Sequence, residues 1–219
     1  MNPLWRAEEM RELLRWCAHG LAAGLAGVAL ILVTLWSAVG GDLPDPHAIL
    51  ASVRAKPDFV PLAAIPRHVI DAFDAERPYN AHMAPTLARW ALASRPMGPF
   101  DWYTKGFVLT TRIRLELSED ERREAYLNIV WLGKGINGVN QGAQALFGHP
   151  LATMTIGESA LMVANNENRY ACHYVVDELI AAMQANGAIT PTEAEAARYE
   201  PLPPNPNPAG CPPPVAPPQ

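Results

Sequence analysis

The sequence predicts a mostly α protein, with one N-terminal transmembrane helix ahead of a small helical domain. Three observations predict it. A long uncharged apolar run lies near the start, the middle of the chain carries repeated helix-start and helix-stop signals, and strand signals are weak. The stretch FVLTTRIRLEL has β-branched residues but reads equally well as a buried helix. At 219 residues there is room for one domain plus appendages.

Residues 1–15 form a short charged head and residues 16–39 the predicted membrane helix. No residue between positions 20 and 39 is charged, and LAAGLAGVALILVTLWSAV consists mainly of Leu, Ala and Val. A run of about 20 apolar residues spans a hydrocarbon core of roughly 30 Å. Trp16 and Trp36 stand near its ends, where aromatic rings favour the interface. A cleaved signal peptide needs an apolar core of only about 7–15 residues; this run is longer and reads as an anchor. Arg6, Arg11 and Arg15 precede it, while Asp42 and Asp45 follow it and no base appears before Arg54. Basic residues stay cytoplasmic, so the head is expected inside and the domain outside.

Residues 40–58, GGDLPDPHAILASVRAKPD, read as a connector. Residues 59–200 read as helical. IPRHVIDAFDA puts Val69, Ile70 and Phe73 on one face behind a proline suited to a helix start. Ser118 before EDERREAYLNIVWL looks like an N-cap followed by an acidic first turn. Thr155 precedes IGESALMVA, with Glu158 at the capping-box position. Gly187 closes VVDELIAAMQAN, and Thr190-Pro191 opens the next helix, TEAEAARY. Residues 201–219, PLPPNPNPAGCPPPVAPPQ, are too rich in proline to build a core and read as an extended or disordered tail. The tail is a spacer or, alternatively, a docking peptide for other proteins.

Composition excludes some classes. A net charge of −5 with no dense basic run argues against a nucleic-acid partner. Of three cysteines, Cys17 lies at the membrane edge, leaving Cys172 and Cys211 as a disulfide or two free thiols. No Cys/His spacing suggests zinc.

Residues 118–148 read SEDERREAYLNIVWLGKGINGVNQGAQALFG. This block resembles the family 51 glycosyltransferases, the lipid II polymerases of bifunctional penicillin-binding proteins and monofunctional transglycosylases. Glu124, Tyr126, Leu127, Asn128, Gly133, Gly138, Val139, Ala143, Phe147 and Gly148 fall on the family pattern in order and without gaps. VPLAAIPRHVIDAF, LATMTIGESALMVA and MQANGAITPTEAEAA resemble flanking family segments, so the likeness covers residues 59–200 unevenly. It implies a lysozyme-like helical transglycosylase domain on the outer face of the bacterial inner membrane. It also implies lipid II or nascent glycan as partner, and membrane lipid around it.

That chemistry joins the C1 of a lipid pyrophosphate-linked glycan to a sugar hydroxyl. It needs a carboxylate to take the proton and cationic groups, often with a divalent cation such as Mg or Mn, for the pyrophosphate. It also needs an apolar surface that reaches substrates held in the bilayer. The family's first motif, Glu-Asp-x-x-Phe-x-x-His, meets DAERPYNAH here, with Tyr79 and His82 in the Phe and His positions. Counting from these puts Ala75 where the Glu belongs. With one residue lost, Glu76 is itself the base, against the plainer reading of a solvated Glu at a helix end. Arg77, beside Glu76, is a further cation for the pyrophosphate.

The second motif has only a faint echo in MAPTLARWALASRPM, with Thr86 and Arg89 as candidates. The third, Arg-Lys-x-x-Glu, meets WYTKG, with Lys105 as the basic residue. Its Glu falls on Gly106 or Val108, depending on the frame, and neither side chain is an acid. Glu124, Tyr126 and Asn128 are implied substrate contacts, or else residues of an amphipathic helix and its end. Lys134 and Asn137 meet a sugar or form a polar loop. The run from Asn165 to Arg169 is a new polar site or a solvated loop. The resemblance thus implies a peptidoglycan glycosyltransferase-like protein. The alternative is a non-catalytic cell-wall binding or scaffold protein, and a weaker third reading is lysozyme-like glycan cleavage by Glu76.

Overall fold

The computed structural model describes residues 41–76, 79–133, 135–166 and 173–202, with scattered positions between 12 and 30. The chain divides into two compact units, Met1–Leu43 and Pro44–Gln219. In the first, the described positions between 12 and 30 are helical and residues 41–43 form a turn. No helix among the described residues is long and apolar enough to cross a membrane. Residues 31–40, the second half of the apolar run, lie outside the described residues, as do the three cysteines and the tail from 203.

The second unit is mostly α, in keeping with a lysozyme-like helical domain, and holds no strand among the described residues. Its first helix, α1 (Pro46–Arg54), lies inside the segment read as a connector. Asp45 makes that helix: its side chain accepts from the His47 and Ala48 amides at 2.8 and 3.1 Å, and Pro46 occupies the first turn. The other face buries Ile49, Leu50 and Val53. A 3₁₀ turn, Leu62–Ala64, leads to α2 (Arg67–Ala75), whose Val69, Ile70 and Phe73 are buried as the spacing predicts.

Then α3 (Tyr79–Leu92) and α4 (Pro99–Glu116) pack against each other. FVLTTRIRLEL lies wholly within α4 and its C-cap, which resolves the strand-or-helix ambiguity in favour of helix. Its inner face buries Val108, Leu109 and Ile113. Pro85 sits inside α3 and has no N–H for the carbonyl of Ala81, four residues back. Arg114 Nη2 of α4 donates to that carbonyl at 3.3 Å, so the neighbouring helix satisfies what the proline leaves open.

Helix α5 (Glu119–Leu127) starts at the expected Ser118 capping box. A glycine-rich turn follows, then the short α6 (Val139–Gly142), which widens into a π-type turn over Ala143–Phe147 and stops at Gly148 in the left-handed region. A second 3₁₀ turn, Leu151–Thr153, precedes α7 (Ile156–Asn166). Helices α8 (His173–Ala185) and α9 (Pro191–Arg198) close the unit, with a capping box between Thr190 and Glu193. The Thr155–Glu158 box is also present, the amides of Thr155 and Glu158 each meeting the other's side chain at 2.9 and 3.2 Å. One core joins α2, α5, α7, α8 and α9 around Phe73, Leu127, Met162, Ile180 and Met183.

Candidate functional site

The 118–148 block folds as a unit anchored to the start of the domain. Residues four apart on a helix share a face, so Glu124 and the C-cap Asn128 turn to the same side. That side is inward: Glu124 is 9 % and Asn128 3 % exposed. Glu124 Oε1 accepts from Arg54 Nε at 2.7 Å, and Oε2 from the Leu62 amide at 3.1 Å. Asn128 Oδ1 accepts from the Val60 amide at 2.8 Å, while its Nδ2 donates to the carbonyls of Val60 and Glu124 at 2.8 and 2.9 Å. Lys56 Nζ donates to the Asn128 carbonyl at 2.6 Å. These bonds clamp residues 54–62 onto α5. Tyr126, also buried, packs edge-on against Phe73 with ring centroids 6.0 Å apart.

The turn beyond is set by its glycines. Leu132 N–H donates to Ile136 O and Gly138 N–H to Val130 O, at 2.9 and 2.7 Å, forming a tight hairpin. Gly138 has φ +89°, and a Cβ there would lie 2.6 Å from the Asn128 carbonyl oxygen. Only glycine meets both demands. Asn137 Nδ2 donates to Gly135 O at 3.0 Å, and its amide to Gln141 Oε1 at 3.1 Å. Lys134 lies outside the described residues, as does 167–169 of the polar run.

The remaining candidates lie on the α2–α4 side. Glu76 is the C-cap of α2, already extended (φ −66°, ψ 126°) and half-buried. Arg77 lies outside the described residues. His82 and Arg89 are exposed on α3, two turns apart on one face and so about 10 Å from each other along the axis. Arg89 Nη2 donates to Thr86 Oγ1 at 3.3 Å. Lys105 is half-buried on α4. Gly106 has open space where its side chain would be, and Val108 is 8 % exposed and packed inward. Neither offers a carboxylate.

Sequence reasoning missed an ion cluster between α2 and α5. Arg123 Nη2 reaches both Asp74 oxygens at 3.4 Å and Glu119 Oε1 at 2.9 Å, and its Nη1 lies 3.5 Å from Asp120. Burial pushes the Asp74 carboxyl above the usual range, against the pull of Arg123 and with a further push from Asp71. The acidic first turn of α5 was read only as helix-start chemistry, and nothing in the sequence pairs it with Asp74. An open groove of about 730 Å³ lies between the 62–66 segment, Arg67, Ile70, Asp120, Arg123 and Ala152. It opens at the N-terminal end of α2, the opposite end from Glu76.

The arrangement therefore has a buried hydrogen-bonded clamp holding Glu124, Tyr126 and Asn128, while Glu76, His82, Arg89 and Lys105 are distributed over the C-cap of α2, α3 and α4, Glu76 and Lys105 half-buried and His82 and Arg89 exposed. Among the described residues no three His, Cys, Asp or Glu side chains converge to hold a metal ion.

Comparison with known proteins adds a third view. A family model described as Transglycosylase matches residues 103–186. A biosynthetic peptidoglycan transglycosylase of Rhodospirillum centenum is 30 % identical over 178 residues, covering 66 % of this chain and 77 % of that protein. Penicillin-binding protein 1A of Rickettsia felis is 29 % identical over 184 residues, with 66 % of this chain and 23 % of that protein covered. Penicillin-binding protein 1A of Mycobacterium tuberculosis is 37 % identical over 60 residues, which span 27 % of this chain and 7 % of that protein. The chain thus spans most of the first relative's length and under a quarter of the other two.

Proposed function

The chain belongs to the transglycosylase family, and from that premise we propose that it is a membrane-anchored peptidoglycan glycosyltransferase-like protein that acts on or binds lipid II outside the cytoplasmic membrane. The observation that carries this reading is the 118–148 block, whose buried clamp and glycine turn sit inside the stretch that matches the family model. In the catalytic form of the reading, Glu76 takes the proton from the attacking sugar hydroxyl as C1 passes to that oxygen and the lipid pyrophosphate departs. Arg89 and Lys105, with Arg77 beside Glu76, meet the charge that develops on the pyrophosphate. A divalent cation, Mg or Mn, would accompany the pyrophosphate and share its charge.

A second reading, a cell-wall binding or scaffold protein without turnover, has its own supporting observation. The family's second carboxylate falls on Gly106 or the inward-packed Val108, so α4 supplies none there. Binding survives such a loss better than rate enhancement does, because a base acts chiefly in the transition state. The Pro-rich tail is then the adaptor toward other cell-wall proteins.

Polymerisation of labelled lipid II by the full-length detergent-solubilised protein, beside Glu76→Gln, separates the two. Polymer from the parent that disappears in the variant supports the catalytic form. Absence of polymer from both, with lipid II retained, supports the binding form. Absence of polymer and of binding rules out both.

A further inference from the structure

A proline-rich segment offers a neighbour apolar rings and backbone carbonyls but few N–H groups. Residues 212–218, PPPVAPP, are of this kind, with five prolines and no charge, and lie outside the described residues. A surface that suits such a segment is apolar, carries side-chain donors and has no charge to balance on its occupant. The groove at the N-terminal end of α2 has that character. Leu62, Ala63, Ala64, Pro66 and Ala152 give it apolar walls that are exposed or half-buried. Arg67 stands at its edge, 77 % exposed, with Nε on Asp71 at 2.8 Å. A guanidinium carries five N–H donors, so one such bond leaves it able to donate elsewhere. Asp120, 80 % exposed, shares the rim with Arg123. Its carboxylate makes the groove a poor place for a phosphate and a better one for an uncharged chain.

The described chain ends close to this groove. Leu202 packs against the core, and Glu200 Oε2 accepts from the Gly157 amide at 2.9 Å. A Cβ at Gly157 would run into Glu200 and Leu202, so the last described residues lie on the first turn of α7. Five positions before Gly157, Ala152 lines the groove. His68 Nε2 lies 2.8 Å from the Met154 carbonyl oxygen and fastens this turn to the start of α2. Five residues span at most about 18 Å. Residues 203–211, at about 3.1 Å each in a polyproline helix, reach about 28 Å. The tail is therefore long enough to bring 212–218 onto the groove.

We propose that residues 212–218 dock as a polyproline segment in the groove between residues 62–66, Arg67 and Ala152, which makes the tail an internal ligand of the domain. The proline rings lie against Ala63, Ala64 and Ala152, and Arg67 donates to the backbone carbonyls. Ordering costs little, because the segment is already extended and its tether holds it at an effective concentration on the order of millimolar. A cell-wall partner that takes the tail has to displace it from this groove.

The test uses the full detergent-solubilised chain with Cys17→Ser and Cys172→Ser, which leaves Cys211 beside the segment. A second cysteine is introduced in the groove by Ala64→Cys or, as a control, on α9 by Glu195→Cys, 61 % exposed and nearer the tail in sequence. A short bis-maleimide joins whichever pair meets. Linkage of 211 to 64 within one chain is expected to be about threefold or more faster than linkage to 195, and Pro213→Ser with Pro217→Ser should abolish the preference. Equal rates overturn the proposal, because an undocked tail samples both sites. So does a preference that survives the proline substitutions, or linkage only between chains, which puts a second copy on the groove. Hydrogen exchange gives a readout without new cysteines: the amides of residues 62–68 should exchange about threefold or more slowly in the full chain than in one ending at Leu202. Equal exchange overturns the docking. Neither measurement involves lipid II or turnover, so the docking and the glycosyltransferase reading fail separately.

Discussion

Gly138 and Gly106 stand in two regions that meet opposite demands. Around Gly138 the 118–148 block is closed: the backbone is left-handed and the Asn128 carbonyl fills the place of a side chain. Around Gly106 nothing lies within 4 Å of a Cβ, and the helix it interrupts exposes aromatic rings. The closed region keeps every residue of its motif and uses Glu124 and Asn128 to hold itself together. The α2–α4 stretch carries the residues of the proposed chemistry, Glu76, Arg89 and Lys105, and the resemblance to the family pattern is weakest there. Residues whose partners are all intramolecular are hard to change.

The contrast breaks most sharply at Gly138. Gly138→Ala adds both left-handed strain and a backbone clash, and is expected to destabilise the domain by about 3 kcal/mol or more. Denaturant unfolding of the detergent-solubilised chain measures it; a loss below about 1 kcal/mol would show the block to be far less closed than described. Next is Asn128→Ala, which strands the Val60 amide and carbonyl and loosens the 54–62 clamp. A loss of about 2–3 kcal/mol is expected for buried groups left without partners. Hydrogen exchange should locate it, with protection lost around residues 58–62 before the core helices.

Gly106→Ala carries the opposite sign. A mid-helix glycine lowers helix stability by roughly 0.5–1 kcal/mol relative to alanine, and the added methyl meets nothing. The variant should therefore be more stable than the parent by about that amount. Destabilisation instead would mean that the open side of α4 is occupied in the protein as studied.

The helix starts were legible in the sequence because local signals and tertiary role coincide there. Ser118, Thr155 and Thr190 each announce a helix start by side-chain chemistry that acts within three residues, and each forms its cap. FVLTTRIRLEL was ambiguous because its apolar residues satisfy two periodicities, and the packing of Val108, Leu109 and Ile113 decides for helix. The segment read as a connector contains α1 because Asp45 and Pro46, common in connectors, are also good capping and first-turn residues. Long-range pairing could not be read at all. Nothing local to Arg54, Lys56 or Val60 says that Glu124 and Asn128, some seventy positions on, complete them. Spacing likewise gave no sign that Arg123 would join Asp74.

The smallest effect separates the two regions by pH. His149, just past the closed block, donates from Nε2 to Glu158 Oε1 at 2.8 Å, and Thr153 Oγ1 lies 3.0 Å from its Nδ1. The Glu158 hydrogen bond, aided by the Pro150 carbonyl, raises the imidazole above its ordinary value of 6.5. A raised folded-state value means that the folded protein holds this proton more tightly than the unfolded chain. The contribution is therefore complete below the unfolded value and disappears as pH rises through the higher folded one. Thermal unfolding should show the parent losing stability by a small margin as pH rises through and above the ordinary imidazole value of 6.5, a loss that His149→Gln does not show. Because the ring is at the surface, the difference should shrink further in high salt. Parallel pH profiles for parent and variant would mean that the pair is not formed in solution. The closed region would then end at Gly148 rather than reach into α7.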